Sequence, residues 1–238
     1  IPAPLSRNLR FPAVAAPMFL VSGPELVVAT FKAGMIGTFP ALNQRTSEGY
    51  AEWLAEIKAT LGPDDAAYGV NLIVHNTNTR LMADIAITVE HKVPLVITSL
   101  GAVKDVVDAV HSYGGIVFHD IINSRHAQKA MEAGVDGLIV EGGEGGGFKN
   151  PRDVATMVLL PLVCSKVDVP IIAAGGITDG RTMAAAFALG AEGVQMGTRM
   201  VSAAESPVHE NWKTAIVEAK ETDTVFLNRF GPGPALRA

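Results

Sequence analysis

The chain has 238 residues, a mass of 24.9 kDa, a formal net charge of −5 and a single cysteine, Cys164. A chain of this length buries about three quarters of the surface of its unfolded state, so its fold needs no disulfide framework. One cysteine cannot form an internal disulfide and is typical of a reducing compartment. The basic residues are scattered, no apolar run reaches the roughly 18 to 20 residues of a membrane helix, and segment 1–12 does not resemble a secretory signal. We therefore expect a soluble cytoplasmic protein without nucleic-acid or membrane partners.

Short apolar runs alternate with longer amphipathic runs along the chain, and this pattern occurs eight times. The predicted strands, in chain order, cover 13–18, 35–40, 68–73, 94–99, 115–121, 137–142, 170–176 and 192–198. The helices predicted after them cover 24–33, 47–61, 78–91, 102–113, 124–134, a segment that ends near 167, 179–190 and a segment that reaches about 220. Ser124 and Asp179 are predicted as the caps that begin two of these helices, and Gly134 as the residue that ends one.

The predicted strands are continuously apolar rather than alternating, which indicates a parallel sheet that is covered on both faces. Eight strand–helix units in about 200 residues, without a break in composition, predict an α/β fold that closes as a (βα)8 TIM barrel. A doubly wound open sheet is the alternative, and it usually has fewer strands. We predict one barrel domain over 1–221 and a C-terminal tail over 222–238, whose glycines and prolines are linker-like.

The active site of such a barrel lies at the carboxyl ends of its strands. This rule selects Pro17 and Met18, Asn71, Ser99, His119 and Asp120, the loop 141–150, Gly175 and Gly176, and Gly197 and Thr198. The segment 140–151, VEGGEGGGFKNP, follows the sixth predicted strand and contains five glycines. Because glycine is costly to order, we expect this loop to bring its backbone close to a ligand. A flexible surface loop is the alternative.

Glycines also follow the seventh and eighth predicted strands, where barrels of this kind frequently bind phosphate. Gly175, Gly176 and Gly197 let backbone N–H groups approach phosphate oxygens, and Thr198 adds a hydroxyl group. Tight turns between strand and helix are the alternative explanation for these glycines. The spacing leaves open whether the phosphate belongs to FMN or to a phosphorylated metabolite.

Several long segments of the chain resemble one known family. They are FPAVAAPMFLVSGPEL at 11–26, YGVNLI at 68–73, VFHDIINSRHAQKAMEAGVDGLIVEG at 117–142 and VPIIAAGGITDGRTMAAAFALGAEGVQMGTRM at 169–200. These segments resemble the nitronate monooxygenase (2-nitropropane dioxygenase-like) family of FMN-dependent barrels. That family also includes NADH:quinone reductases and flavin-type enoyl-ACP reductases.

The resemblance implies an FMN site at the carboxyl ends of the strands. It implies that the isoalloxazine ring lies over Ala16, Pro17 and Met18, with Asn71 near the ring and Gly146 beside it. The residues implied to hold the FMN phosphate are Ala174, Gly175, Gly176, Gly197 and Thr198.

The chain departs from the family pattern at two positions. Family members typically have a histidine in the loop after the sixth strand, and the corresponding residue here is Phe148, which cannot exchange a proton. Several relatives have lysine where this chain has Asp120, and Lys149 is one candidate to restore the missing charge. We therefore predict that Phe148 and Lys149 contact the substrate.

His119 and Asp120 are the remaining acid–base candidates, because both lie at a strand end on the catalytic face. Neighbouring side chains of a strand point in opposite directions, so we expect only one of the two to face the pocket. A purely structural role for both is the alternative. The other histidines lack the spacing of metal ligands, so no metal site is predicted.

The resemblance implies an FMN-dependent oxidoreductase that oxidises a small nitronate or related carbanionic substrate with O2. An NAD(P)H-dependent enoyl or quinone reductase is the nearest alternative. Two further alternatives are a non-redox barrel isomerase or aldolase and a family member that binds FMN without catalysis. Relatives usually continue beyond the last residue of this chain, so we expect 222–238 to begin a longer C-terminal region, which often supports contacts in a homodimer.

Overall fold

A computed structural model describes residues 1–101, 104–149, 154–227 and 235–237 of the chain. For residues 148, 149 and 235–237 the description covers the backbone alone.

Eight parallel strands form a closed barrel, in which each strand pairs with the next and the last pairs with the first. The barrel strands are β1 (Ala13–Ala15), β2 (Ile36–Pro40), β3 (Tyr68–Ile73), β4 (Leu95–Ser99), β5 (Ile116–Ile121), β6 (Gly137–Glu141), β8 (Ile171–Ala174) and β9 (Gly193–Met196). The predicted TIM barrel is therefore confirmed, and the open-sheet alternative is wrong. The seventh and eighth predicted strands correspond to β8 and β9, because a short strand, β7 (Gly147–Lys149), lies outside the barrel.

Helices surround the barrel in the order expected for repeated strand–helix units. They are α1 (Ala3–Ser6), α2 (Pro24–Lys32), α3 (Ser47–Thr60), α4 (Leu81–His91), α5 (Lys104–His111), α6 (Ser124–Ala133), α7 (Thr156–Cys164), α8 (Gly180–Ala188), α9 (Thr198–Val201) and α10 (Glu210–Glu218). A 3₁₀ turn, Ala41–Asn43, follows β2. In the described part of the chain, no helix combines the length and the apolar character that crossing a membrane requires.

Two of the three predicted helix-terminal residues are confirmed. Asp179 begins α8, where its side chain accepts hydrogen bonds from the backbone N–H groups of Arg181 and Thr182, and Gly134 ends α6 with a φ of 84°. The prediction for Ser124 is wrong, because the cap of α6 is Asn123. Asn123 has extended backbone angles, and its Oδ1 accepts the N–H of His126 at 2.9 Å.

The barrel interior and the strand–helix interface form two separate apolar clusters. The interior cluster consists of Leu5, Val14, Ile36, Leu95, Ile97, Phe118, Ile139, Ile172 and Ala174. The alternate residues of the same strands, such as Val96 and Val117, pack in the larger cluster with the helices. Side chains along one strand therefore alternate between the interior and the helical layer. We call the inward-facing residues of each strand its interior row. Each interior row continues to the carboxyl end of its strand, where its side chains face the site.

Close packing of β2 against α2 leaves no room for a side chain at Gly37. A Cβ added there would lie 2.5 Å from the backbone oxygen of Val27 and 2.9 Å from its Cα. We expect Gly37→Ala to lower the free energy of unfolding by about 1–3 kcal/mol, because α2 must move to relieve the clash. Urea denaturation measures the change, with Gly180→Ala as the control, since a Cβ at Gly180 meets nothing within 4 Å. Equal midpoints for the two variants would contradict this packing.

The C-terminal tail pairs with the glycine-rich loop. β10 (Phe226–Leu227) and β11 (Ala235–Arg237) form an antiparallel sheet with β7, in the order β10-β11-β7. In this sheet Leu236 is opposite Phe148. The predicted domain boundary at 221/222 stays a prediction, but the tail is more than a linker here, because it supplies two strands beside the candidate site.

Candidate active site

A cavity of about 500 Å³ opens at the carboxyl ends of the barrel strands. Seven of the residues selected from the sequence line it, namely Pro17, Asn71, Ser99, His119, Asp120, Glu141 and Gly146. His126 and Lys129 also line the cavity. Its position agrees with the general location of active sites in barrels of this type.

Polar side chains lie near the carboxyl ends of the interior rows of four consecutive strands: Asn71 on β3, Ser99 on β4, Asp120 on β5 and Glu141 on β6. Three of them form a hydrogen-bonded chain. Asn71 Nδ2 donates to Ser99 Oγ at 2.7 Å, and Ser99 Oγ donates to Asp120 Oδ2 at 2.5 Å. We call this chain, Asn71–Ser99–Asp120, the polar row. Because the Ser99 hydroxyl donates to it, the Asp120 carboxylate is oriented as a hydrogen-bond acceptor at the cavity wall.

His119 is on the opposite side of β5 from Asp120. It follows the outer row of Val117, and its Nδ1 is 2.7 Å from Thr98 Oγ1. The side chain is 5% exposed, and burial, together with the nearby His126, lowers the pKa of His119 to about 4. The imidazole is therefore neutral at pH 7, so it cannot donate a cationic proton there. Both acid–base candidates border the cavity, but only Asp120 belongs to an interior row.

The buried neutral imidazole of His119 makes stability depend on pH. The folded chain takes up this proton near pH 4, whereas the unfolded chain takes it up near pH 6.5. The unfolded chain binds more protons between these values, so acidification from about pH 6.5 to about pH 4 removes stability, on the order of 3 kcal/mol. Urea denaturation across this pH range should show a smaller loss of the free energy of unfolding in His119→Gln than in the wild type. His75→Gln, which changes an exposed histidine, is the control. If stability depends on pH in His119→Gln as it does in the wild type, His119 is not the origin of the effect.

The glycine-rich loop is folded onto the ends of β6 and β8 rather than free in solvent. Gly142 N–H donates to Ala174 O at 3.0 Å, and a Cβ at Gly142 would overlap Thr156. Glu144 Oε2 accepts both the backbone N–H and the hydroxyl of Thr156 at 2.9 Å, which ties the loop to the start of α7. A Cβ at Gly146 would meet no atom within 4 Å. The glycines therefore serve two purposes: some permit close packing, and Gly146 leaves space at the cavity.

The side chains of Phe148 and Lys149 lie outside the described part of the structure. Their predicted contact with the substrate stays a prediction. The backbone of both residues belongs to β7, so the departure from the family pattern coincides with the strand that pairs with the tail.

The predicted phosphate residues converge at the ends of β8 and β9. Gly175 and Gly176 have φ values of 99° and 72°, which favour glycine over other residues. The N–H groups of Arg181 and Thr182, in the first turn of α8, already donate to Asp179, whereas Gly197 precedes α9 and provides no side-chain cap. A Cβ at Gly197 would be 3.8 Å from atoms of both Ala16 and Met18, so this region adjoins the loop after β1.

Two residues that were not selected from the sequence hold the loop after β1 in place. Ser22 Oγ donates to Ala16 O at 3.0 Å and accepts the N–H of Met18 at 2.9 Å. Asn43 Nδ2 donates to the carbonyl oxygens of Met18 at 3.0 Å and Ser22 at 2.7 Å. No motif or spacing indicates this role, because Asn43 lies in the 3₁₀ turn after β2, which is distant in the chain from this loop. The segment predicted to lie under a flavin ring is therefore rigid.

Leu100 is a third residue that sequence reasoning missed. It has a φ of 64°, it is 63% exposed, and it lines the cavity. A branched residue in this left-handed region is strained by on the order of 1–2 kcal/mol. The next residue, Gly101, fixes the turn, since a Cβ there would be 2.5 Å from Val74 O. Leu100 thus presents an apolar side chain to the cavity instead of burying it in the core.

No group of three or more histidine, cysteine or acidic side chains that could hold a metal ion occurs within the described ranges.

Comparison with known proteins gives one family and two kinds of relative. The profile of the family described as nitronate monooxygenase matches residues 5–238. A (3aS,4S,5R,7aS)-5-hydroxy-7a-methyl-1-oxo-octahydro-1H-indene-4-carboxyl-CoA dehydrogenase of Rhodococcus jostii is 36% identical, over 95% of this chain and 62% of the relative. A probable nitronate monooxygenase of Staphylococcus saprophyticus is 30% identical, over 96% of this chain and 75% of the relative. The chain thus spans about three fifths of the length of the dehydrogenase.

Solved structures agree with this assignment. FabK from Thermotoga maritima superposes with a TM-score of 0.88 and 34% identity, covering 97% of this chain and 71% of that protein. Nitroalkane oxidase from Streptomyces ansochromogenes has a TM-score of 0.88 at 24% identity, over 99% of this chain and 79% of that protein, which supports the fold alone. Because the family profile covers nearly the whole chain and a relative at 30% identity matches most of its own length, the chain belongs to the nitronate monooxygenase family.

Proposed function

We propose that this chain is an FMN-dependent oxidoreductase in which Asp120 accepts a proton from the substrate. The observation that carries the proposal is the polar row, which orients one carboxylate at the wall of a cavity on the catalytic face. Family membership supports oxidoreductase chemistry, and the glycine-lined region beside the cavity supports a cofactor that has a phosphate.

The residues present fit FMN at two places. Gly175 and Gly176 have positive φ values, as glycines in anion-binding turns often do, and Gly197 and Thr198 follow the neighbouring strand β9. The open space at Gly146 and the hydrogen-bonded loop that contains residues 16–18 suit a planar ring between them. We propose that these residues hold the phosphate and the ring, respectively, with Asn71 beside the ring.

When bound, FMN supplies the acceptor for a carbon-bound hydrogen and its electron pair. The chain supplies the proton chemistry and the positioning. Asp120 accepts the proton of a hydroxyl group or an acidic C–H group, Ser99 and Asn71 hold the carboxylate in place, and Leu100 contacts apolar carbons of the substrate. The substrate loses two hydrogens in total, one as a proton and one with the electron pair.

The polar row favours a substrate group that carries a hydrogen. The Asp120 carboxylate is oriented as an acceptor at the cavity wall, so a hydroxyl or acidic C–H group can give it a proton, whereas an anionic nitronate has already lost that proton. The similarity to a relative named as a carboxyl-CoA dehydrogenase supports the same choice, so we propose a dehydrogenase reaction as the main activity.

Nitronate oxidation with O2 is the second candidate. The family profile and the Staphylococcus saprophyticus relative favour it. Lys129 at the cavity edge would offset part of the negative charge of such a substrate. A reductase reaction driven by NAD(P)H is the remaining alternative on the same fold.

Anaerobic titration of the FMN-loaded protein tests these proposals. Propyl-2-nitronate, NADPH and a 3-hydroxyacyl-CoA are added separately, and bleaching of the visible flavin absorbance is recorded. We expect the hydroxyacyl-CoA to bleach the flavin. Bleaching by the nitronate alone would favour the second candidate, and bleaching by NADPH alone would favour a reductase.

A further inference from the structure

Three basic residues of α6 lie at or near the cavity. Lys129 is three positions from His126 and four from Arg125, so its side chain neighbours both on the helix surface. His126 and Lys129 line the cavity that contains the polar row. Arg125 lines a second hollow, of about 450 Å³, between α6 and α7, together with Lys166. We call these four residues the basic edge.

The positive charge of the basic edge is not neutralised locally. Within the described ranges, Arg125, Lys129 and Lys166 form no ion pair, whereas Lys104 and Lys213 pair with acidic neighbours. The pKa of His126 is lowered by burial and also by Lys129 and Arg125, which agrees with a positive local field. Glu132, the acidic residue of the same helix, accepts a hydrogen bond from Gln128 instead. A chain with a net charge of −5 thus places cations at the edge of its cavity.

The size of the cavity determines what those cations can contact. About 500 Å³ is enough for a flavin ring or the reacting part of a substrate, but not for a nucleotide carrier as well. The carrier part of such a substrate must therefore lie outside the cavity, beyond its edge. α6 borders this exit, since it begins three residues after Ile121, the last residue of β5.

We propose that the basic edge binds the phosphate groups of an adenine nucleotide carrier, while the attached reacting group enters the cavity. Coenzyme A thioesters and NAD(P)H both contain this chemistry, a diphosphate with adenosine attached. Arginine and lysine side chains form charge-assisted hydrogen bonds to phosphate oxygens, and their length allows them to do so at an open edge. The inference rests on the proposed function for the identity of the reacting group, and the name of the carboxyl-CoA dehydrogenase is consistent with it.

Isothermal titration calorimetry with coenzyme A and with NADPH, each at low salt, tests this site. We expect the FMN-loaded wild type to bind at least one of the two, and Arg125→Gln/Lys129→Gln to bind it at least tenfold more weakly. The difference should shrink at high salt, where the charges are screened. Arg7→Gln/Lys32→Gln is the matched control, because it removes the same charge from exposed residues away from the cavity.

Each outcome decides the proposal. Binding of coenzyme A alone identifies a thioester substrate, and binding of NADPH alone identifies a nicotinamide co-substrate. Absence of binding to the wild type, or equal weakening in both double variants, would overturn the basic edge as a site. FMN content is read separately from the visible absorbance of each protein, and the same titrations on FMN-free protein separate failure of this site from failure of the flavin proposal.

Discussion

Asp120→Asn is expected to slow reduction of the bound flavin by its substrate about 100- to 10,000-fold, the range typical of a lost general base. Asparagine retains the size of the side chain and can still contact Ser99, but it cannot take up a proton. FMN binding should remain within a few-fold of the wild type, because Asp120 is not among the residues proposed to hold the cofactor. Stopped-flow absorbance under anaerobic conditions measures the rate, with the donor that bleaches the wild type.

Glu141→Gln is the matched control for Asp120→Asn. Glu141 is also acidic and also lines the cavity, but it lies outside the polar row. We expect its rate of flavin reduction to stay within about tenfold of the wild type. Ser99→Ala should give an intermediate loss, since it removes the hydroxyl that orients the carboxylate. A rate that falls in Glu141→Gln and not in Asp120→Asn would transfer the role to Glu141.

Gly175→Ala is expected to weaken FMN binding at least tenfold and to lower the free energy of unfolding by about 1–3 kcal/mol. The φ of 99° at this residue is unfavourable for alanine. The added Cβ would also lie 3.0 Å from Gly145 N and 3.1 Å from Thr156 Oγ1, where the glycine-rich loop packs against β8. The change therefore distorts the turn that is proposed to hold the phosphate.

Fluorescence titration with FMN measures the affinity of Gly175→Ala, and urea denaturation measures its stability. Gly146→Ala separates the two effects, because its Cβ meets no protein atom within 4 Å. We expect it to leave stability unchanged and to weaken FMN binding only if the ring passes beside it. Wild-type FMN affinity in Gly175→Ala would remove the turn after β8 from the phosphate site.

The barrel was predictable because its signal is repeated and local. Each apolar strand and each amphipathic helix is encoded in its own segment, and eight repeats leave little choice of topology. The general location of the site follows from the same rule. The cap of α6 was predicted one residue late, because Asn123 and Ser124 are both good caps and only the backbone angles distinguish them.

The polar row was not predictable as a unit. Asn71, Ser99 and Asp120 were each selected from the sequence, but their contact depends on the register of three strands. The clamp by Ser22 and Asn43 and the sheet that joins β7 to the tail have the same origin, since both connect residues that are distant in the chain. Such contacts carry no local pattern that a single sequence can reveal.

The visible absorbance spectrum of the purified chain, after incubation with FMN and removal of the unbound cofactor, tests the central claim most directly. The account predicts the two bands of an oxidised flavin, retained in about one equivalent per chain, and release of FMN on denaturation. A spectrum without visible absorbance after this treatment would contradict the flavoenzyme proposal. It would leave a barrel whose glycine-lined turns bind the phosphate of a substrate, as in a non-redox isomerase or aldolase.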